Sequence, residues 1–277
     1  MSFRIKRFAR KNRDSRIVRH IARQCEKFLF GFYNESFFDL AENGEGRVID
    51  AIVTGCDADP LIVFDVGANR GDWAKAVLAR KPAAVITCFE IVPTTAALLR
   101  TALGSHPSVR IRDYGLSSAP RDIEVFQNAT TEISAITPLY GDPPGSGYEA
   151  VAARVETGDM QMAREGLSRL DVLKIDVEGH EIEVLSGFRE TLASPERRPR
   201  VIQFEYGATW LPPRHTLMEA YDLLRAFGYG IGRLYPEGVD FKPYSIADDH
   251  FRMGNYVAVQ ARDPLMQSLA RFRSPAG

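Results

Sequence analysis

Segments rich in apolar residues alternate along the chain with segments whose apolar residues recur at helical spacing. The apolar segments predict strands at 61–66, 85–90, 109–114, 170–175 and 200–204, and the helical spacing predicts helices at 72–80, 93–103 and 214–227. An uninterrupted apolar run such as 61–64 is typical of a strand that is buried on both faces of a parallel sheet. The alternation therefore predicts an α/β fold with right-handed crossovers and helices on both faces of the sheet.

Between and after these elements the pattern is less regular. Alternating apolar residues predict further strands at 123–127, 151–157, 229–235 and 255–260. The segment 129–150 is rich in Thr, Gly and Pro and is long enough to be a substrate lid or simply a mobile loop. No internal repeat is visible.

The first long helix is predicted at 15–33, because five apolar residues fall on one face: Ile17, Ile21, Cys25, Phe28 and Phe32. Residues 1–27 carry ten Lys or Arg residues against two acids, whereas the whole chain has a net charge of −1. One interpretation is a helix packed on the protein with its basic side in water. The other is an arm that meets an anionic surface, whether membrane, nucleic acid or glycan. We predict a basic arm and amphipathic helix at 1–42 and a domain at 43–277.

The composition, with 45% hydrophobic and 26% charged residues, is that of an ordinary globular chain. No apolar run approaches the roughly 20 residues that a membrane span needs, and the first residues lack the apolar core of a signal peptide. Cys25, Cys56 and Cys88 are odd in number and widely spaced, so neither a disulfide framework nor a zinc site is indicated. We therefore expect a cytoplasmic protein; the oligomeric state is not indicated.

The predicted strand at 61–66 runs into a loop with Gly67, Asn69 and Gly71 that opens a helix. Glycine lets the backbone turn sharply, and asparagine tolerates a left-handed conformation. Such a loop before a helix N-terminus is a nucleotide cradle. Asp72 replaces the third glycine of the dinucleotide pattern, and Asp65 would repel a pyrophosphate. The loop therefore favours S-adenosylmethionine over NAD, and an NAD-dependent oxidoreductase is the less favoured alternative.

Acids follow the predicted strands, at the edge where an open parallel sheet binds its ligand: Asp65, Glu90, Asp113, Asp176 and Glu205. Glu90 lies 19 residues after Gly71, and there it can bind both hydroxyls of a ribose.

A histidine joins this group, because Asp176, Glu178 and His180 are spaced by two residues and share one side of an extended segment. His180 is the preferred general base, oriented by Asp176. Glu178 and Glu205 would help to hold a hydroxyl group, or a Mg²⁺ ion if one is used. The plainer alternatives are that His180 merely begins a helix and that Glu205 pairs with an arginine.

Three motifs resemble those of the FkbM family of S-adenosylmethionine-dependent methyltransferases. They are Asp-Val-Gly-Ala-Asn-Arg-Gly at 65–71, Phe-Glu-Ile-Val-Pro at 89–93, and Leu-Lys-Ile-Asp-Val-Glu-Gly-His-Glu at 173–181. The likeness spans about 43–260. The glutamate and proline of the second motif are one residue further apart than is common in the family.

The resemblance implies a Rossmann-like class I methyltransferase with a seven-stranded, mostly parallel sheet whose last strand is reversed. It implies O-methylation of a hydroxyl on a sugar, glycan or secondary metabolite. It places the cofactor near Asp65, Gly67, Asn69, Gly71 and Glu90, with adenine near the turn that holds Asp113, Gly115 and Leu116.

The resemblance does not identify the methyl acceptor. Aromatic residues in the late loops, Trp210, Tyr235 and Tyr244, could stack on a sugar ring. No specific nucleic-acid partner is expected. A non-catalytic member that binds the cofactor, or binds a partner through the basic arm, remains the alternative to an enzyme.

Overall fold

The computed structural model describes residues 3–35, 39–128, 134–135 and 148–271. Its strands are β1 (Ile62–Val66), β2 (Val85–Phe89), β3 (Val109–Arg112), β4 (Gly115–Leu116), β5 (Arg121–Asn128), β6 (Ser134–Ala135), β7 (Tyr148–Glu156), β8 (Val172–Ile175), β9 (Val201–Tyr206), β10 (Tyr229–Tyr235), β11 (Gly238–Phe241) and β12 (Gly254–Gln260). Its α-helices are α1 (Phe3–Lys11), α2 (Arg16–Phe32), α3 (Glu45–Gly55), α4 (Asp72–Arg80), α5 (Pro93–Leu103), α6 (Gly158–Arg164), α7 (Glu181–Ser186), α8 (Arg189–Ala193), α9 (Leu217–Ala226) and α10 (Pro264–Leu269).

The central sheet has the strand order β11-β10-β12-β9-β8-β1-β2-β3. Strands β9, β8, β1, β2 and β3 are parallel, and β12 runs antiparallel between β9 and β10. The predicted parallel sheet with a reversed last strand is therefore confirmed. An eighth strand, β11, extends the edge through a hairpin with β10. The order of strands reverses between β1 and β8, which is where open α/β sheets bind their ligands.

A second, smaller sheet has the order β4-β7-β5-β6. The two alternating segments predicted at 123–127 and 151–157 form its main antiparallel pair, β5 and β7. This sheet begins directly after β3, so it lies against the same end of the central sheet as the loops after β1 and β2. It contributes Leu116, Val125 and Val155 to the cavity described below.

Both faces of the central sheet are covered by apolar side chains, as expected for strands of a parallel sheet. Phe64 and Leu173 point to one face, where they pack with Phe188 and other buried residues. Val63 and Val172 point to the other face, towards α3 and α4. Asp65 and Lys174 alternate onto that second face and occupy paired positions on β1 and β8.

The N-terminal helices α1 and α2 differ from the other described α-helices, because neither contains a buried residue. The apolar stripe that was expected to pack is largely in solvent: Ile17, Ile21 and Phe28 are 73%, 53% and 71% exposed. The packed-helix interpretation is therefore wrong.

Among the described residues, none of the helices combines the length and hydropathy of a membrane span.

Hydrogen bonds and an ion pair hold the C-terminal end of the arm, just after α2, against the domain. The Tyr33 carbonyl accepts hydrogen bonds from Arg233 Nε and Nη2 at 3.0 and 2.7 Å, and Glu35 forms an ion pair with Arg252 at 2.7 Å. Arg233 is 4% exposed, and a buried charge is costly unless it is hydrogen-bonded. The carbonyls of Tyr33, Arg252 and Met253 therefore stabilise the buried guanidinium. Tyr33 and Glu35 are therefore already held by the domain.

Candidate active site

A cavity of about 430 Å³ opens at the carboxyl ends of β1, β2, β8 and β9. The sequence-predicted site residues line it, with three exceptions. Asp65 is fully buried beneath it, Gly71 packs against Leu99 and Leu103, and Asp113 is exposed and pairs with Arg100 at 3.0 Å. Gly115 and Leu116, from the same turn as Asp113, do line the cavity.

The loop after β1 has the backbone that its residues suggest. Gly67, Asn69 and Gly71 have φ angles of 78°, 47° and 79°, all in the left-handed region. A Cβ on Gly67 would lie 1.8 Å from the carbonyl oxygen of Asp176. Only glycine therefore allows the loops after β1 and β8 to meet at the reversal of strand order.

Glu90 is held by backbone amides at the rim of this loop. Its carboxylate accepts hydrogen bonds from Asn69 N and Val92 N, both at 2.9 Å. Burial raises the pKa of Glu90, and the two amides oppose that rise. Each carboxylate oxygen keeps further lone-pair capacity, so Glu90 can accept two more hydrogen bonds from a ligand in the cavity.

Lys174 is buried but lines the cavity, and it was not identified as a site residue from the sequence. Its Nζ is 3.4 Å from Asp65 Oδ1 and 3.3 Å from Asp176 Oδ2. Burial opposes the lysine charge, but Asp65, Asp176 and Glu45 outweigh burial and raise the pKa of Lys174. The negative charge of Asp65 is thus balanced by a lysine of the protein itself. The signal available in the sequence was a lysine in the middle of an apolar strand.

Three carboxylates form a cluster on the cavity wall: Asp176, Glu178 and Glu205. One oxygen from each lies within 4.8 Å of the others. Burial, followed by the negative charge of Asp176, raises the pKa of Glu178 to about 7. Burial and the neighbouring acids also raise the pKa of Glu205, whose buried Oε2 has no hydrogen-bond partner among the described residues. The cluster is therefore suited to taking up a proton or a cation.

The turn that carries Asp176 and Glu178 is held in place by the side chain of Glu181. Its carboxylate accepts hydrogen bonds from Val177 N and Gly179 N, both at 3.0 Å. Gly179 has a φ angle of 101°, and a Cβ there would lie 2.1 Å from the carbonyl oxygen of Thr209. The positions of Asp176 and Glu178 are therefore set before any ligand binds.

His180 lines the cavity, but its ring is engaged with the protein. Nε2 lies 2.9 Å from Ser117 Oγ, and Nδ1 lies 3.6 Å from Glu183 Oε2. Burial lowers the pKa of His180 to about 4, against the opposing effect of Glu183. At neutral pH the ring is therefore uncharged and is a weak proton acceptor.

The aromatic residues expected to stack on a sugar have other roles. Trp210 is fully buried and packs against Phe204 and Tyr206, and Tyr235 is also buried. Tyr244 donates a hydrogen bond to Asp249 at 2.6 Å. The stacking hypothesis is wrong for Trp210 and Tyr235, because both side chains are buried and cannot contact a sugar ring.

The lid hypothesis concerns the segment 129–150, most of which lies outside the described residues.

The parallel sheet with a reversed strand, the glycine loop after β1 and the acid after β2 define a class I, Rossmann-like methyltransferase fold. A family model described as the methyltransferase FkbM domain matches residues 65–231, more than half of the chain. The chain belongs to this family, as the sequence motifs suggested.

Two curated relatives carry methyltransferase names. The 2-O-methyltransferase NoeI of Sinorhizobium fredii is 29% identical over 206 residues, covering 70% of this chain and 82% of NoeI. The hexuronic acid methyltransferase AglP of Haloferax volcanii is 31% identical over 157 residues, covering 54% of this chain and 59% of AglP. The AMB antimetabolite synthetase AmbE of Pseudomonas aeruginosa is 28% identical over 199 residues, but the match covers 9% of AmbE.

Proposed function

We propose that this protein transfers a methyl group from S-adenosylmethionine to a hydroxyl oxygen of a sugar or related metabolite. Membership of the FkbM family supports methyl transfer. The name of NoeI supports an oxygen as the acceptor atom, and the name of AglP supports a sugar acid as the kind of acceptor molecule. The observation that carries the proposal is the carboxylate cluster of Asp176, Glu178 and Glu205 in the same cavity as Glu90.

The cavity wall fits such a cofactor. Two buried polar atoms on it, Trp73 Nε1 and Glu205 Oε2, have no partner among the described residues, so the cavity offers unmet hydrogen bonds to a polar ligand. When bound, S-adenosylmethionine supplies a methyl group on a sulfonium that is already a good leaving group. Glu90 would hold the ribose hydroxyls, and the open backbone of Gly67 and Asn69 would lie against the rest of the cofactor.

The protein must then supply alignment and remove a proton, because a protonated hydroxyl is a poor nucleophile. We propose Glu178 as the proton acceptor, since its pKa of about 7 is close to working pH and it faces the cavity. Asp176 and Glu205 would orient the acceptor hydroxyl. His180, the base preferred from the sequence, remains the second candidate, with the weaker basicity described above.

A divalent cation is a second way to acidify the hydroxyl, because carboxylate oxygens are the ligands that Mg²⁺ prefers. Asp176, Glu178 and Glu205 would hold it. A metal role predicts that EDTA abolishes turnover and that Mg²⁺ restores it. It also predicts that the electron paramagnetic resonance spectrum of added Mn²⁺ reports a bound ion. A fully free Mn²⁺ spectrum together with EDTA-insensitive turnover would leave direct base catalysis.

We propose a cytoplasmic location, because all three cysteines are free thiols. The acceptor is proposed to be a small molecule or glycan rather than a specific nucleic acid.

The proposed activity is tested with S-adenosylmethionine carrying a ¹³C-labelled methyl group, incubated with methyl glycosides of neutral sugars and of hexuronic acids. We expect the label in an alkali-stable ether on a ring carbon, located by heteronuclear NMR. Glu178→Gln should lower the rate about 10²–10⁴-fold. The matched surface change Glu190→Gln should leave it unaltered. Label on nitrogen, or in an alkali-labile ester of the uronic acid, would contradict methylation of a hydroxyl.

A further inference from the structure

The N-terminal helices α1 and α2 present an amphipathic surface with no cover in the described structure. Four residues of the α2 apolar stripe are large and exposed, namely Ile17, Ile21, Phe28 and Phe32. On α1, Ile5 and Phe8 are exposed in the same way. Isolated exposed apolar residues are common, but a contiguous stripe of this size marks an interaction surface.

Basic residues occupy the opposite side of the same helix. At 100° per residue, the apolar stripe of α2 falls within an arc of about 80°, and Arg16, Arg19, Arg23 and Lys27 fall within a similar arc on the far side. Over residues 3–27 the arm carries ten Lys or Arg residues against Asp14 and Glu26. The surface therefore offers apolar contact and a strong positive charge together.

We infer that this arm docks the enzyme on the surface of an anionic lipid bilayer. An anionic bilayer is a partner that satisfies both halves of the helix: its acyl boundary takes the apolar stripe, and its headgroups attract the basic residues. A nucleic acid would meet the charge but leave the apolar stripe in water. A second copy of the chain would bring two strongly positive arms together.

The root of the arm ties this surface to the catalytic domain. The Tyr33 carbonyl is bound by Arg233, which also donates to the carbonyl of Met253, a residue that lines the cavity. Docking would therefore hold the domain itself at the bilayer rather than on a free tether. This inference does not depend on the identity of the methyl acceptor, since lipid binding is measured without turnover.

Cys25 provides a direct probe of the orientation, because it lies within the apolar stripe and is exposed, whereas Cys56 and Cys88 are buried. The full chain is labelled at Cys25 with an environment-sensitive fluorophore and mixed with vesicles. We expect a blue shift with equal parts phosphatidylcholine and phosphatidylglycerol, and none with phosphatidylcholine alone. The matched control carries His20→Cys with Cys25→Ser, which moves the label to the basic side of α2, and its emission should stay that of water.

Co-sedimentation with the same vesicles measures the affinity. Replacing Arg16, Arg23 and Lys27 by Gln should lower the partition coefficient about 10²-fold, and added salt should weaken the wild type. The same change at three exposed arginines outside the arm, Arg189, Arg225 and Arg262, should have little effect.

Several results would overturn the inference. Equal binding to neutral and anionic vesicles would do so, as would identical fluorescence shifts at positions 20 and 25. So would a self-associated protein that becomes monomeric with Phe28→Asp, because a second copy would then cover the stripe. Arm-dependent binding to a single-stranded oligonucleotide that survives Phe28→Asp, without lipid binding by the wild type, would assign the arm to nucleic acid.

Discussion

Glu178 and His180 lie two residues apart, yet burial moves their pKa values in opposite directions. Burial penalises the charged form of each group, so the pKa of the carboxyl rises to about 7 and that of the imidazole falls to about 4. The order of basicity expected for free side chains is thereby reversed. A carboxylate at this position is the better proton acceptor near neutral pH.

This reversal predicts the pH dependence of turnover. A general base acts only when unprotonated, so kcat/KM should fall about tenfold per pH unit below about pH 7 and level off above it, if Glu178 is the base. If His180 were the base, the same quantity would already be level from about pH 5 upwards. The measurement is a kcat/KM profile of the wild type, with Glu178→Gln as the variant that should lose the limb near pH 7.

At single positions the sequence predicts the backbone conformation better than it predicts which side chains will pair. Gly67 and Asn69 could be assigned from residue type, because few residues tolerate a left-handed φ. The place of Glu90 on the cavity wall could be predicted from its spacing after Gly71. Asp113 could not be placed, because its side chain is drawn out of the site by Arg100, a partner from another element. Lys174 was missed since only the register of β1 against β8 puts it beside Asp65.

At the scale of elements, the turn between β8 and α7 is the part of the site with the least freedom. Gly179→Ala introduces a Cβ at a φ angle of 101° and against the Thr209 carbonyl. We expect a loss of roughly 2 kcal/mol or more in the free energy of unfolding, together with a sharp fall in turnover as Asp176 and Glu178 are displaced.

Gly166→Ala is the matched control, because Gly166 also has a positive φ of 61° but no atom within 4 Å of the added Cβ. It should cost about 1 kcal/mol from backbone conformation alone and leave turnover intact. Urea unfolding and initial rates measure both effects. Similar losses in the two variants would show that the contact with Thr209 does not hold the turn.

The regular elements were predictable because their apolar residues are periodic. β1, β2 and α5 lie within a residue or so of their predicted bounds. β11 was missed because it is a four-residue edge strand, Gly-Val-Asp-Phe, that is formed by its hairpin with β10. Short edge strands carry little pattern of their own, so tertiary pairing decides them.

At the scale of the whole molecule, the division between arm and domain was predicted at residue 42. Tyr33 and Glu35, which precede that position, already contact the domain. The sequence left open whether α2 packs on the domain, because its apolar stripe matches a packed helix equally well and only the tertiary contacts separate the two.

A chain without residues 1–32 should therefore unfold at nearly the same temperature as the full chain. A chain without residues 1–42 should lose roughly 3 kcal/mol or more, because Arg233 and Arg252 lose charge-assisted bonds and one of them is buried. Thermal unfolding of the two truncations compares them directly. Equal stability of both would support residue 42 as the boundary.

The proposed methyl transfer requires that the cavity at the carboxyl ends of the strands holds S-adenosylmethionine through Glu90. Calorimetric titration of S-adenosylhomocysteine into the wild type and Glu90→Ala tests it most directly, with NAD as the competing ligand. We expect binding to the wild type, no binding of NAD, and an affinity at least about tenfold weaker in Glu90→Ala, since charge-assisted hydrogen bonds contribute roughly 1.5–3 kcal/mol each. Unchanged affinity in Glu90→Ala, or binding of NAD in place of S-adenosylhomocysteine, would contradict it.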